Sequence, residues 1–188
     1  MFLCLTAEEV GVMVVWMRTW WKELLLAVVL GLLYGSFQTS YGLFDVDEAI
    51  FTQATREMVD GGPYSMPTYN GEPRFQKPPL IYWLQAGFMQ VLGVDSLWAA
   101  RLPSAVFALA TLMLLWVSIW HFTGNRAWAL ASTAALGLSL SFVWIGRAAT
   151  ADAVLNFFML ALVFCCAASA TTYPEPASPQ RATQTPTA

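Results

Sequence analysis

LPSAVFALATLMLLWVSIW, residues 102–120, contains no charged side chain. At 1.5 Å of rise per residue such a run makes a helix of about 28 Å, close to the thickness of a bilayer's hydrocarbon core. Two more apolar runs follow, Ala127–Ile145 and Ala153–Ala170, and an earlier one covers Leu24 to about Ser40. The composition agrees. Of 188 residues 57% are hydrophobic and only 11% charged, against about 25% charged in a soluble domain. Too few charged groups remain to cover a water-facing surface, so the rest needs lipid as solvent. The nine Trp suit the same reading, because indole rings favour the membrane interface. The expected fold is an all-α membrane protein with about four transmembrane helices.

Flanking charge orients these spans. Arg18 and Lys22 precede the first span, while Asp45, Asp47 and Glu48 follow it, so the N-terminus is expected in the cytoplasm. His121 and Arg126 flank the tight turn between the next two full-length spans and suit a cytoplasmic turn. Leu80–Val94 is apolar but short and interrupted by Gln85, Gly87 and Gln90, which predicts an interfacial or re-entrant helix. If it does not cross, Arg147–Asp152 emerges on the same outer side as Asp45–Lys77.

The outer loop, 41–101, divides in two. Asp47–Asp60 predicts a helix lying on the membrane plane. Ile50, Ala54 and Met58 fall on one face with Phe51 beside them, and Glu48, Thr52, Gln53 and Arg56 crowd the other. Asp45 and Glu48 have capping-box spacing, and Gly61-Gly62-Pro63 ends the helix. Tyr64–Pro79, rich in Pro, Gly and Asn, reads as a loop.

The termini stand apart. Residues 1–16 read as an upstream mis-start, with a run at Val10–Met17 too short to span and no signal-peptide pattern. Met17-Arg18-Thr19-Trp20 reads as the natural start of a membrane domain over 17–170. The tail 171–188 is Pro, Thr, Ala and Ser with little else and is expected to be disordered. Net charge is −3 with no basic run, which argues against nucleic acid. Cys4, Cys165 and Cys166 lack metal-ligand spacing.

Four groups of residues fall on the expected outer side: Asp45-Val46-Asp47-Glu48, Arg56-Glu57-Met58, Phe75-Gln76-Lys77-Pro78-Pro79 with Tyr82, and Gly146-Arg147 through Asp152. Each has a structural reading of its own. Asp45, Asp47 or Asp152 caps a helix, and Lys77, Arg101 and Arg147 serve as snorkelling anchors. Together they are what transfer from a lipid phosphate requires. Cations hold the phosphate and offset leaving-group charge. A carboxylate takes the proton from an attacking hydroxyl.

The ordered set Asp47-Glu48-Ala49, Arg56-Glu57-Met58, Lys77-Pro78-Pro79-Leu80-x-Tyr82-Trp83-Leu84, Ala99-Ala100-Arg101-Leu102-Pro103-Ser104-Ala105 and Gly146-Arg147-x-Ala149-x-x-Asp152 resembles the GT-C fold glycosyltransferases. More narrowly, it is similar to the bacterial relatives of protein O-mannosyltransferase and lipid A aminoarabinose transferase, over about Trp20–Leu162. The resemblance implies a sugar moved from a polyprenyl-phosphate carrier to a lipid or protein acceptor, at the periplasmic or extracellular face of a bacterial inner membrane.

It also implies roles by position. Asp47 matches the catalytic carboxylate and Asp152 the second acid. Lys77 and Arg56 match the groups that meet the donor, and Tyr82 and Glu48 belong to the same matched segments. No cofactor is implied. Some relatives carry a metal-ligating Glu just before the matched Lys; Gln76 stands there, a poorer ligand for a divalent cation, so no metal site is expected. Family members are several times as long, so the chain reads as an N-terminal part. A second reading is a non-catalytic membrane subunit or pseudoenzyme that binds polyprenyl phosphate or a partner. A small transporter is disfavoured, because the ionisable residues sit at span mouths and not at mid-membrane.

Overall fold

The computed structural model describes the backbone of residues 7–36, 42–43 and 45–172, with side chains from Trp20 to Thr171. Its elements are α1 (Ala7–Gly35), α2 (Val46–Val59), β1 (Thr68–Tyr69), β2 (Glu72–Pro73), α3 (Leu80–Leu92), α4 (Leu97–Thr123), α5 (Arg126–Gly137), α6 (Leu140–Arg147) and α7 (Asp152–Thr172). It is an all-α membrane protein. Residues 1–6 of the expected mis-start and 173–188 of the expected disordered tail lie outside the described residues.

Helix α4 is the central element. It begins earlier than the apolar run because Ser96 caps it, its side chain accepting from the Ala99 amide. It ends at Gly124 in the left-handed conformation, φ 65°, which glycine adopts without strain. Asn125 then caps α5 by accepting from the Ala127 amide at 2.9 Å, so two residues suffice for the reversal. Helix α7 runs along α4, with Phe107 against Phe157 and Phe158 at 5.4 and 6.0 Å and His121 against Phe164 at 5.9 Å. Its other face leaves Leu155, Met159, Leu162 and Val163 exposed, a surface suited to lipid.

Among the residues searched, α4 and α7 are long and apolar enough to cross a membrane, and α5 with α6 makes a third if the pair is one span. The expected continuous span 127–145 is in fact broken. The two helices meet at 67° across Leu138–Ser139. The break has a physical basis. Ser139 starts a new helix in extended conformation, and the Gly137 carbonyl accepts from Tyr34 Oη at 3.1 Å. A partner from α1 thus satisfies a group that lipid could not. The expected first span, Leu24–Ser40, falls on α1 only as far as Gly35, and 37–40 lie outside the described residues.

Two ends of the bundle are tied by side chains. At one, Arg126 of the α4–α5 turn donates to Glu23 of α1 at 2.9 Å and stacks on Trp20 at 3.9 Å. Trp20, Trp116 and Trp120 cluster there at 5.1–6.1 Å. At the other end, α2 and α3 pack on the start of α4 and the α6–α7 junction. Phe51, Ala54 and Met58 of α2 meet Ile81, Tyr82 and Ala86 of α3 and Val154 of α7. Helix α3, with 13 residues, is about 20 Å long, short of a span.

Helix α2 matches the expected Asp47–Asp60 closely, and Phe51, Ala54 and Met58 of its expected apolar face are buried. Glu48 and Thr52, expected on the opposite polar side, are buried with them, so the buried face is broader than the apolar stripe. The capping box does not form: Asp45 is the N-cap without a side-chain cap bond, because Glu48 is drawn into the core. Within Tyr64–Pro79, β1 and β2 make a small antiparallel hairpin around Asn70-Gly71, with φ 54° and 80°. Asn-Gly is the pair such a turn favours.

Candidate active site

The polar core at the α2 end is built around Glu48. Its carboxylate accepts from Arg101 Nε at 2.7 Å on one oxygen and from Nη2 at 3.0 Å on the other, and both side chains are 0% exposed. The first oxygen also accepts from the Ala149 amide at 3.0 Å. Arg101 Nη2 donates further to the Gly42 carbonyl at 2.9 Å. Arg101 is thus a buried structural cation, not the snorkelling anchor expected of it. Glu48, expected to bind substrate, is enclosed with both oxygens engaged.

Gln85 completes this core from α3. It accepts from Thr55 Oγ1 at 2.7 Å and donates to the carbonyls of Ala100 at 3.0 Å and Ala149 at 3.4 Å. Ser104 donates to the Thr150 carbonyl at 3.0 Å. The peptide Ala149–Thr150 is therefore gripped from α2, α3 and α4, each contact serving a buried backbone group that would otherwise lack a partner. Sequence reading missed Gln85 and Ser104. The available signal was a glutamine inside an apolar helix, which needs partners wherever it is buried.

On either side of this grip stand the exposed acids. Asp47 lies in the first turn of α2 and Asp152 opens α7. Both are exposed, and among the described residues neither has a side-chain partner. Lys77 is exposed in the segment before α3 and likewise lacks one. An acid at a helix N-terminus interacts favourably with the backbone amides there.

The other expected site residues are placed differently. Arg56 sits in the last turn of α2, about 13 Å along the helix from Asp47. Its Nε donates to the Val94 carbonyl at 3.3 Å and its Nη2 lies 3.6 Å from Asp95, so it braces the α3–α4 turn. Tyr82 is 0% exposed, with its ring 5.4 Å from that of Phe51, and its hydroxyl accepts from Arg74 Nε at 3.0 Å. Arg74, unremarked in the sequence, lies over the Phe51 ring at 5.7 Å and adds a cation above α2. Arg147 donates to the Ser36 carbonyl at 2.8 Å and holds α6 to the end of α1.

Glu57 holds the hairpin. Its carboxylate accepts from Thr68 Oγ1 at 2.8 Å, the Asn70 and Gly71 amides at 2.8 and 3.3 Å, and Gln53 Nε2 at 3.2 Å. Desolvation pushes this carboxyl up, but the four hydrogen bonds together outweigh it and hold the group below its ordinary value of 4.5. A lowered carboxyl stabilises the folded hairpin fully above the ordinary value and ceases to do so as pH falls through the lowered one. Glu57→Gln is expected to speed amide exchange at Asn70 and Gly71 and to remove that acid-induced loosening. Unchanged exchange would show that the strands hold without it.

The profile of the dolichyl-phosphate-mannose-protein mannosyltransferase family matches residues 76–174. The chain belongs to this family. The match runs from Gln76 past the end of α7 and so takes in Lys77, Arg101 and Asp152. An uncharacterized protein of Aquifex aeolicus is 28% identical over 73% of this chain and 28% of its own length. An undecaprenyl phosphate-alpha-4-amino-4-deoxy-L-arabinose arabinosyl transferase of Shewanella sediminis is 32% identical over 63% of this chain and 21% of its own length. A protein of the same description from Pseudomonas fluorescens is 38% identical over 46% and 15%. The chain thus spans about a quarter of the length of the first two. No solved structure matches. Family membership makes this a membrane protein of the GT-C fold.

Proposed function

We propose that this chain carries the donor side of a glycosyltransferase site that uses a polyprenyl-phosphate-linked sugar. The observation that carries the reading is the pair of exposed acids, Asp47 and Asp152, at two helix starts joined by the Glu48–Ala149 hydrogen bond. Relatives named for undecaprenyl-phosphate sugar transfer support the donor class. In this reading Asp47 takes the proton from an acceptor hydroxyl as its oxygen attacks the anomeric carbon. The bond from that carbon to the carrier phosphate oxygen breaks, and the released polyprenyl phosphate has its charge offset by Lys77. Asp152 supports position or electrostatics. Tyr82, buried under Arg74, shapes the ground beneath the donor, and Arg56, partly exposed beside Asp95, is a second cation for the carrier phosphate. The acceptor is a lipid or protein, and the site faces the periplasm or exterior of a bacterial inner membrane.

The test is binding of undecaprenyl phosphate to the purified chain in detergent. Lys77→Ala is expected to weaken binding about tenfold, equivalent to about 1.4 kcal/mol. Asp47→Asn is expected to leave it unchanged, because the base meets the acceptor and not the carrier. Equal binding by Lys77→Ala removes the role given to Lys77. No binding by the unaltered chain removes the donor-site reading.

A further inference from the structure

We infer that Glu48 and Arg101 are positioning residues, a buried pair that sets Asp152 against Asp47 without touching the donor. The inference rests on the roles proposed for those two acids. It begins from enclosure. Glu48 is 0% exposed, so its carboxylate has no surface to offer a sugar or a phosphate. The same oxygen that meets Arg101 Nε accepts from the Ala149 amide at 3.0 Å. Glu48 directly follows Asp47, and Ala149 lies three residues before Asp152. One hydrogen bond therefore couples the two acid-bearing segments, 101 residues apart in sequence.

The other contacts make that point rigid. Gln85 holds the Ala149 carbonyl and Ser104 the Thr150 carbonyl, so the amide of Ala149 is aimed and cannot swing. Arg101 holds Glu48 by two parallel bonds, the geometry that fixes a carboxylate's orientation as well as its place. A further bond, to the Gly42 carbonyl, adds the segment that follows α1. A buried ion pair is a poor source of stability compared with well-packed apolar groups of like volume, and its best-attested use is to select one register over others. Here the register is that of the α6–α7 link on the first turn of α2.

Two double variants separate the ion pair from the bond to Ala149. Glu48→Gln with Arg101→Met removes both charges and keeps an acceptor for the Ala149 amide. Glu48→Leu with Arg101→Met removes both charges and the acceptor. Nitroxide labels on Asp47→Cys and Asp152→Cys, with Cys4→Ala, Cys165→Ala and Cys166→Ala behind them, report the distance between the two positions. The first double variant is expected to keep the distribution as narrow as the unaltered pair does, and the second to double its width. Undecaprenyl phosphate should bind both double variants, unlabelled, as tightly as the unaltered chain.

Equal widths in the two would overturn the coupling through Ala149. Weaker carrier binding by the Gln–Met variant would overturn the claim that the pair stands off the donor. If either variant does not fold, amide exchange in the unaltered chain still decides: Ala149 should be as protected as the buried amides of α4, and exchange as fast as the exposed loop would sink the inference. Absence of carrier binding by the unaltered chain refutes the donor-site reading alone and leaves the distance and exchange results standing.

Discussion

Replacing Arg101 with alanine is expected to lower the stability of the folded chain by about 3–5 kcal/mol, the largest effect of any single substitution here. The magnitude follows from what is left behind. Glu48 would lose both bonds from the guanidinium, and a carboxylate enclosed in protein without its cation is far from compensated. The Gly42 carbonyl would lose its Arg101 partner as well. Arg101→Lys should fall between, because an ammonium cannot make the two parallel bonds that the guanidinium makes. Arg101→Met with Glu48→Leu, by contrast, should cost less than Arg101→Ala, since it removes the charges together and leaves the Ala149 amide unpaired, a loss of about 1–3 kcal/mol. Unfolding in detergent, followed by helix content against denaturant, orders the three. An Arg101→Ala chain as stable as the double variant would mean that water reaches Glu48 and that the pair is not a buried one.

Why this pair escapes a reading of the sequence is instructive. Glu48 and Arg101 lie 53 residues apart, on helices whose packing no local pattern specifies. Taken alone, an arginine at the start of an apolar run has the look of an interfacial anchor. The usable signal was in α2, where Glu48, Phe51, Thr52, Thr55 and Met58 share one helical phase. Giving priority to the apolar members alone makes the buried face too narrow and leaves Glu48 in solvent. What did read through were features decided by composition and by local chemistry. The long apolar runs of α4 and α7 follow from the absence of charge. The limits of α2 follow from Gly61 and Gly62, and the short reach of α3 from its length. The break between α5 and α6 did not read through, because Gly137 and Ser139 pass for tolerable residues inside a span. The group that makes the break affordable, Tyr34, is 103 residues away.

The candidate site divides along the same line. Asp47, Lys77 and Asp152 were legible as exposed charges at the mouths of apolar segments, and they remain exposed and without described partners. Arg56, Tyr82 and Glu48 were selected for lying in the same short motifs, and motif membership does not distinguish a group facing a ligand from one holding the scaffold. Tyr82 and Glu48 are enclosed, whereas Arg56 stays partly exposed, braced on Val94 and Asp95.

Gly146→Ala is expected to be the second most damaging change, although it adds a single methyl group. A Cβ at Gly146 would stand 2.4 Å from Tyr34 Cε1 and 2.7 Å from Ala108 Cβ. Neither neighbour can yield cheaply. Tyr34 is pinned by its bond to the Gly137 carbonyl and packs on Phe142 at 6.2 Å, and Ala108 is a backbone-borne methyl on α4. Helix α6 must therefore move away, at a cost of about 1–3 kcal/mol for overpacking. Because α6 ends at Arg147 and leads through Ala149 to Asp152, the displacement also strains the Ser36 and Glu48 contacts. Tyr34→Leu in the same chain should relieve only part of the loss, since Ala108 remains. Gly31→Ala is the control: no atom lies within 4 Å of the added methyl, in a helix where alanine is favoured by about 0.5–1 kcal/mol. Thermal unfolding of the three variants in detergent checks this. A Gly146→Ala midpoint no lower than that of Gly31→Ala would mean that α6 does not pack against Tyr34 and Ala108 at this distance, and the bent α5–α6 pair would need another explanation.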